Sequence, residues 1–167
     1  TIVAAALYRL GIPWDEASRL SMHHFTGRMS APPATDEIKV RGKVATTLQN
    51  LHKGGVRLAV ATTDNRASTE ACLELIGVQG LIEALICGDD NDSPIKPDPA
   101  VLFLLAEKFA VEVKQLAMVG DTVNDLRMAK AAGAGYAVGI MGGAGEKVEL
   151  RVETNILIDS LDEIRVI

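Results

Sequence analysis

The chain has 167 residues, enough for one domain or one domain with a small appendage. It is 48% hydrophobic and 23% charged, so it can bury a sizeable core and does not read as disordered. Seventeen basic residues against 22 acidic ones give a formal charge of −5, and no run of Lys or Arg occurs, which argues against a nucleic-acid partner.

No apolar segment is long enough to span a bilayer. The first residues carry neither a basic stretch nor a cleavage site for secretion, so no membrane partner is expected. Cys72 and Cys87 have no metal or redox spacing and each sits in an apolar run. Buried free thiols in a reducing, cytoplasmic setting are expected.

In chain order, Ile2, Val3, Ala6, Leu7 and Leu10 recur at helical spacing and stop at Gly11. A second helix is expected over 13–27, with Asp15 as its cap and Leu20, His24 and Phe25 inward. His23 and His24 are adjacent, point to different faces and read as surface or half-buried histidines rather than ligands. Residues 29–35, with Pro32-Pro33, form a linker, and the domain boundary falls there, dividing 1–35 from 36–167.

From Asp36 helices alternate with strands. The pattern predicts a helix over 37–53 closed by Gly54-Gly55, then a strand over 56–61 buried on both faces. A helix over 66–76, a strand over 81–87 and a polar loop over 88–97 follow. Asp98-Pro99 starts a helix running to about Phe109. Strands are expected at 116–119, 136–140 and 156–158, with a glycine-rich loop at 141–145 and a last helical turn at 161–164. Strands spaced by helices imply parallel pairing with right-handed crossovers, an α/β, Rossmann-like fold with helices flanking a parallel sheet.

Four spots after strands could carry chemistry. Thr62 offers a hydroxyl and Thr63 an amide to a phosphate oxygen; a cap for the next helix explains Thr62 equally well. Lys96 precedes Pro97, which pushes it toward an extended backbone, so its ammonium can be projected onto a phosphate. Asp121 and Asp125 sit at a strand end and one helical turn on, where open α/β sheets keep ligands. Two converging carboxylates repel unless a cation lies between them, and hard oxygens suit magnesium. The same pair also fits a helix cap and a solvated first-turn acid. The acidic loop of Asp89, Asp90 and Asp92 lacks the glycine and terminal Glu of a calcium loop and reads as solvated or substrate-side. Gly142, Gly143 and Gly145 do not make a dinucleotide fingerprint.

The words VRLAVATTDN, IKPDP and VGDTVNDLRMAKAAG, in that order and spacing, resemble the haloacid dehalogenase superfamily over about 36–167, in particular its phosphoglycolate-phosphatase-like members with a helical cap. By that resemblance Thr62 falls on the second family motif, Lys96 on the third, and Asp121 with Asp125 on the fourth. The resemblance implies a magnesium-dependent phosphatase for a small phosphorylated metabolite. Thr62, Thr63 and Lys96 would hold the phosphoryl group, and Asp121 and Asp125 the metal, with in-line transfer to an aspartate followed by hydrolysis. Residues 1–35 would be part of the cap.

The family's first motif, DxDxT at the end of an apolar strand, does not occur in the sequence. Asp90-Asn91-Asp92 has its spacing but lies after another strand and lacks the rest. The strand bearing that motif would be the central one. The chain is therefore expected to lack an N-terminal segment, to be inactive alone, and to leave the strands at 56–61 and 116–119 flanking a gap or pairing directly. A phosphate- and metal-binding module without turnover is the alternative.

Overall fold

The computed structural model describes residues 11–13, 16, 40, 42–91, 94, 96–154 and 156–166. The helices expected over 1–10 and 13–27, the linker and the cap of 1–35 fall almost wholly outside them, as does Asp92. The described elements are α1 (Val44–Lys53), β1 (Leu58–Ala61), α2 (Arg66–Leu75), β2 (Ile82–Ile86), α3 (Ala100–Phe109), β3 (Ala117–Gly120), α4 (Val123–Ala132), β4 (Tyr136–Ile140), α5 (Lys147–Glu153) and β5 (Ile156–Ile158). Among the described residues no helix is long and apolar enough to cross a membrane.

Among the described residues all strand pairs are parallel, in two separate sheets: β1 with β2, and β3–β4–β5. β1 and β3 do not pair with each other, and each has a strand on one side only among the described residues. Their backbone groups on the other side have no strand partner there, a condition a sheet interior does not tolerate.

The expected strand at 56–61 is shorter and wetter than its composition implies. It starts at Leu58, Val56 is 39% exposed, and of β1 only Leu58 is buried. The reason is its position: an end strand with one neighbour is covered less than a central one.

What joins the two sheets is side-chain packing. The core cluster contains Ala84 of β2, Val101, Leu102, Leu105 and Phe109 of α3, and Met128 and Ala129 of α4. Half-buried Ala59 and Ile86 meet it from one sheet and Met118 and Ala137 from the other. α3 is thus apolar toward both sheets, and burying each such side chain is worth about 1.5–3 kcal/mol.

The helix starts are set by side chains from near and far. Asn65 caps α2 by accepting the Ser68 N–H at 2.7 Å. Thr122 caps α4, accepting from the Asp125 N–H while Asp125 Oδ2 accepts from the Thr122 N–H. α1 begins at Val44, later than expected, because Gly42 turns with φ +69° and Asp162 of the last turn accepts from the Lys43 N–H and the Thr47 hydroxyl. α5 had no counterpart in the sequence pattern: it buries only Leu150 and leaves Val148 and Val152 in solvent.

Candidate active site at the strand ends

Three chain segments meet where β1 and β3 end. The first is the turn after β1. Thr62 Oγ1 donates to Asp64 Oδ2 at 2.9 Å and accepts the Asp64 N–H at 3.1 Å. The cap of the following helix is Asn65, so Thr62 is not needed for that task. Thr62 is half-buried and Thr63 exposed. A Cβ on Gly88 would run into the Thr63 carbonyl, so glycine there lets the loop after β2 close on this turn.

The second segment brings in Lys96. Its peptide bond to Pro97 is cis. Lys96 Nζ donates to Asp125 Oδ1 at 2.7 Å and to the Ala61 carbonyl at 3.3 Å. One ammonium therefore touches the end of β1 and the first turn of α4. Lys96 lines a small cleft together with Ala61, Thr62, Thr63, Ile86 and Gly88.

The third segment is the crest from β3 into α4. Asp125 is 2% exposed and both its oxygens are engaged: Oδ1 by Lys96, Oδ2 by the Thr122 hydroxyl at 2.6 Å and the Thr122 N–H at 3.0 Å. A Cβ on Gly120 would collide with the Asp125 side chain, so glycine at the end of β3 admits the carboxylate. Asp121 is half-buried; its Oδ2 accepts the Ala144 N–H at 2.8 Å, and no described residue bonds its Oδ1.

Asp89 is exposed and Asp90 half-buried, and both are tied to Arg66. Asp89 Oδ1 accepts the Arg66 N–H at 2.8 Å. Both Asp90 oxygens face the Arg66 guanidinium, at 2.9 and 2.8 Å, and Oδ2 also accepts the Cys87 N–H. That N–H and then Arg66 hold the Asp90 carboxyl below the usual carboxylate range. Cys87 lies near both acids, a spacing that geometry alone would allow a metal. The chemistry speaks against it: a guanidinium already covers Asp90, and burial raises the Cys87 thiol, keeping it protonated.

Thr62, Thr63, Lys96 and Asp125, separated in sequence, share one region, with Asp121 on the same crest. Thr122 and the 143–145 loop belong to it as well. The sequence hinted at these only through a capping pattern and a run of glycines.

A family model for haloacid dehalogenase-like hydrolases matches residues 22–133. The chain belongs to this family. It is 33% identical over 123 residues to a phosphoglycolate phosphatase of Salmonella paratyphi A, covering 72% of this chain and 48% of the relative. It spans about half the length of the curated relatives it matches. Among solved structures, a mutant form of CbbY of Rhodobacter sphaeroides in complex with xylulose-1,5-bisphosphate superposes with a TM-score of 0.65 at 26% identity, over 91% of this chain and 66% of that one. A hydrolase from Pseudomonas syringae superposes at 0.72 with 24% identity, over 97% and 76% of the two chains, a likeness of fold.

Proposed function

We propose that this haloacid dehalogenase-family chain supplies the phosphate cradle and metal ligands of a magnesium-dependent phosphomonoester hydrolase acting on small phosphorylated metabolites. The observation that carries the reading is Lys96 Nζ, bonded at once to Ala61 O beside Thr62 and to Asp125 Oδ1. It links the three sequence words at one point. A setting in the cytoplasm fits the free Cys72 and Cys87.

In this reading the Thr62 hydroxyl leaves Asp64 to bond a phosphate oxygen, and the Thr63 amide takes another. Lys96 sets a fixed positive charge against the phosphoryl group. Asp121 would hold magnesium through its Oδ1, and Asp125, proposed as the second acid of the site, would stand beside the ion with both oxygens already bonded. The donor set fits, because Asp121 Oδ1 is unclaimed by described residues and magnesium is commonly held by one or two carboxylates with waters and substrate phosphate completing the shell. Bound magnesium would neutralise charge on the phosphate oxygens. Asp125, already held by Lys96 and Thr122, keeps the ammonium in place and adds negative charge near the ion.

Attack and protonation of the leaving alkoxide need further groups, and the sequence holds no DxDxT to provide them. We place the strand that would bring them between β1 and β3, whose facing sides lack strand partners among the described residues. General acid–base help alone is worth about 10²–10⁴-fold, so the 167 residues by themselves should not turn over at an enzymatic rate. The test is hydrolysis of an aryl phosphate by this chain and by the same chain preceded by an apolar strand ending in DxDxT. Magnesium-dependent turnover is expected of the longer chain alone, with loss on Lys96→Ala. Robust turnover by the short chain, lost on Asp121→Asn, would contradict the reading and point to Asp64, exposed beside Thr62, as nucleophile. Binding without turnover in the longer chain would favour the noncatalytic module.

A further inference from the structure

The glycine-rich turn after β4 makes no dinucleotide fingerprint, yet it is built closely around one acid. The Ala144 N–H donates to Asp121 Oδ2 at 2.8 Å, and the Gly145 N–H donates to the Asp121 carbonyl at 2.9 Å. A Cβ on Gly143 would run into the Asp121 carboxylate, and one on Gly145 into the Asp121 carbonyl. Neither glycine has a left-handed φ, so what these two positions require is space, not torsional freedom. Gly142, with φ +83°, makes the turn itself. The root of the loop is tied down by the Met141 N–H, which donates to Ile158 O at 2.8 Å.

A carboxylate rotates about its last bond unless something holds one oxygen. Here one oxygen of Asp121 is held from the loop and its main chain is held from the same loop. The other oxygen, Oδ1, is left with one direction to face. Groups that orient a metal-binding carboxylate in this way raise its affinity by reducing the freedom lost on binding.

We propose that the loop of Gly143, Ala144 and Gly145 is a positioning element that aims Asp121 Oδ1 at a divalent cation. This rests on the metal role of Asp121 given above. Gly143→Ala displaces the carboxylate without imposing a forbidden backbone torsion. Replacing Ala144 by its α-hydroxy acid turns the donating N–H into an ester oxygen and leaves the shape unchanged.

The experiment is a manganese titration of the folded chain followed by the free-ion electron-spin signal, with the thermal melt recorded for each variant. Wild type, Asp121→Asn, Gly143→Ala and the ester form are compared. The expected result is a loss of affinity of about 10–100-fold for Gly143→Ala and the ester form, the scale seen when groups behind a metal ligand are removed. The melt of the ester form should stay close to wild type, so that the loss is not one of folding. Should Gly143→Ala fail to fold, the ester form decides alone. Wild-type affinity in the ester form, with affinity lost on Asp121→Asn, would overturn the positioning role and leave the metal reading standing. Affinity unaffected by Asp121→Asn, or no manganese bound by the wild type, would overturn the metal reading and the positioning role with it.

Discussion

Asp125 is a buried carboxylate whose charge is tolerated because every oxygen has a partner. Its ion pair with Lys96 is 2.7 Å long, with side chains 3% and 16% exposed. Removing one partner of such a pair leaves the other charge uncompensated, and Lys96→Ala should cost about 3 kcal/mol in a urea unfolding experiment. A cost near zero would mean that Thr122 and solvent alone satisfy Asp125. Asp90 gives a pH-dependent counterpart. Its carboxyl is held below the usual range, first by the Cys87 N–H and then by Arg66. The stabilisation is therefore complete above the unfolded carboxylate pKa and is lost as pH falls through the depressed folded value. With Arg66 at 40% side-chain exposure the effect is screened, about 1 kcal/mol or less. The melting temperature of Asp90→Asn should trail wild type at pH 7 and converge on it in acid.

At the level of elements, helix α1 is closed by a residue from the far end of the chain. Asp162 accepts from Lys43 N at 3.0 Å and Thr47 Oγ1 at 3.0 Å, across 119 residues of sequence in the first case. Asp162→Ala should destabilise the chain by about 1–2 kcal/mol, as loss of a helix cap does, read by thermal melting. The same contact explains a misplaced boundary: the apolar pattern runs through 37–53, and nothing local announces that the helix starts at Val44. β4 and β5, by contrast, fall where their apolar runs lie, because short runs between glycines and polar turns leave little choice. α5 was illegible because one buried residue, Leu150, makes no periodic face. At the site, Thr62, Lys96, Asp121 and Asp125 could be singled out by type and by place after a strand. The loop that holds Asp121 could not, since its contribution is a backbone N–H and missing Cβ atoms, neither of which has a side-chain signature.

For the whole molecule, two parallel half-sheets are joined by the α3–α4 core and by Lys96, with no hydrogen-bonded ladder between β1 and β3. Strand edges of that kind invite pairing, and a strand entering between them would arrive beside Thr62, Lys96 and Asp121. In the proposed function these residues make one cradle, in which phosphate and magnesium would occupy adjoining places. If so, each ligand must strengthen the other by the same factor, since coupling between two binding sites is reciprocal. The direct measurement is titration of the chain with inorganic phosphate, followed by phosphorus NMR, with and without magnesium. Phosphate is expected to bind more tightly with magnesium, to lose that gain on Asp121→Asn, and to lose binding on Lys96→Ala. Phosphate binding that is indifferent to magnesium and unchanged by Lys96→Ala would contradict it.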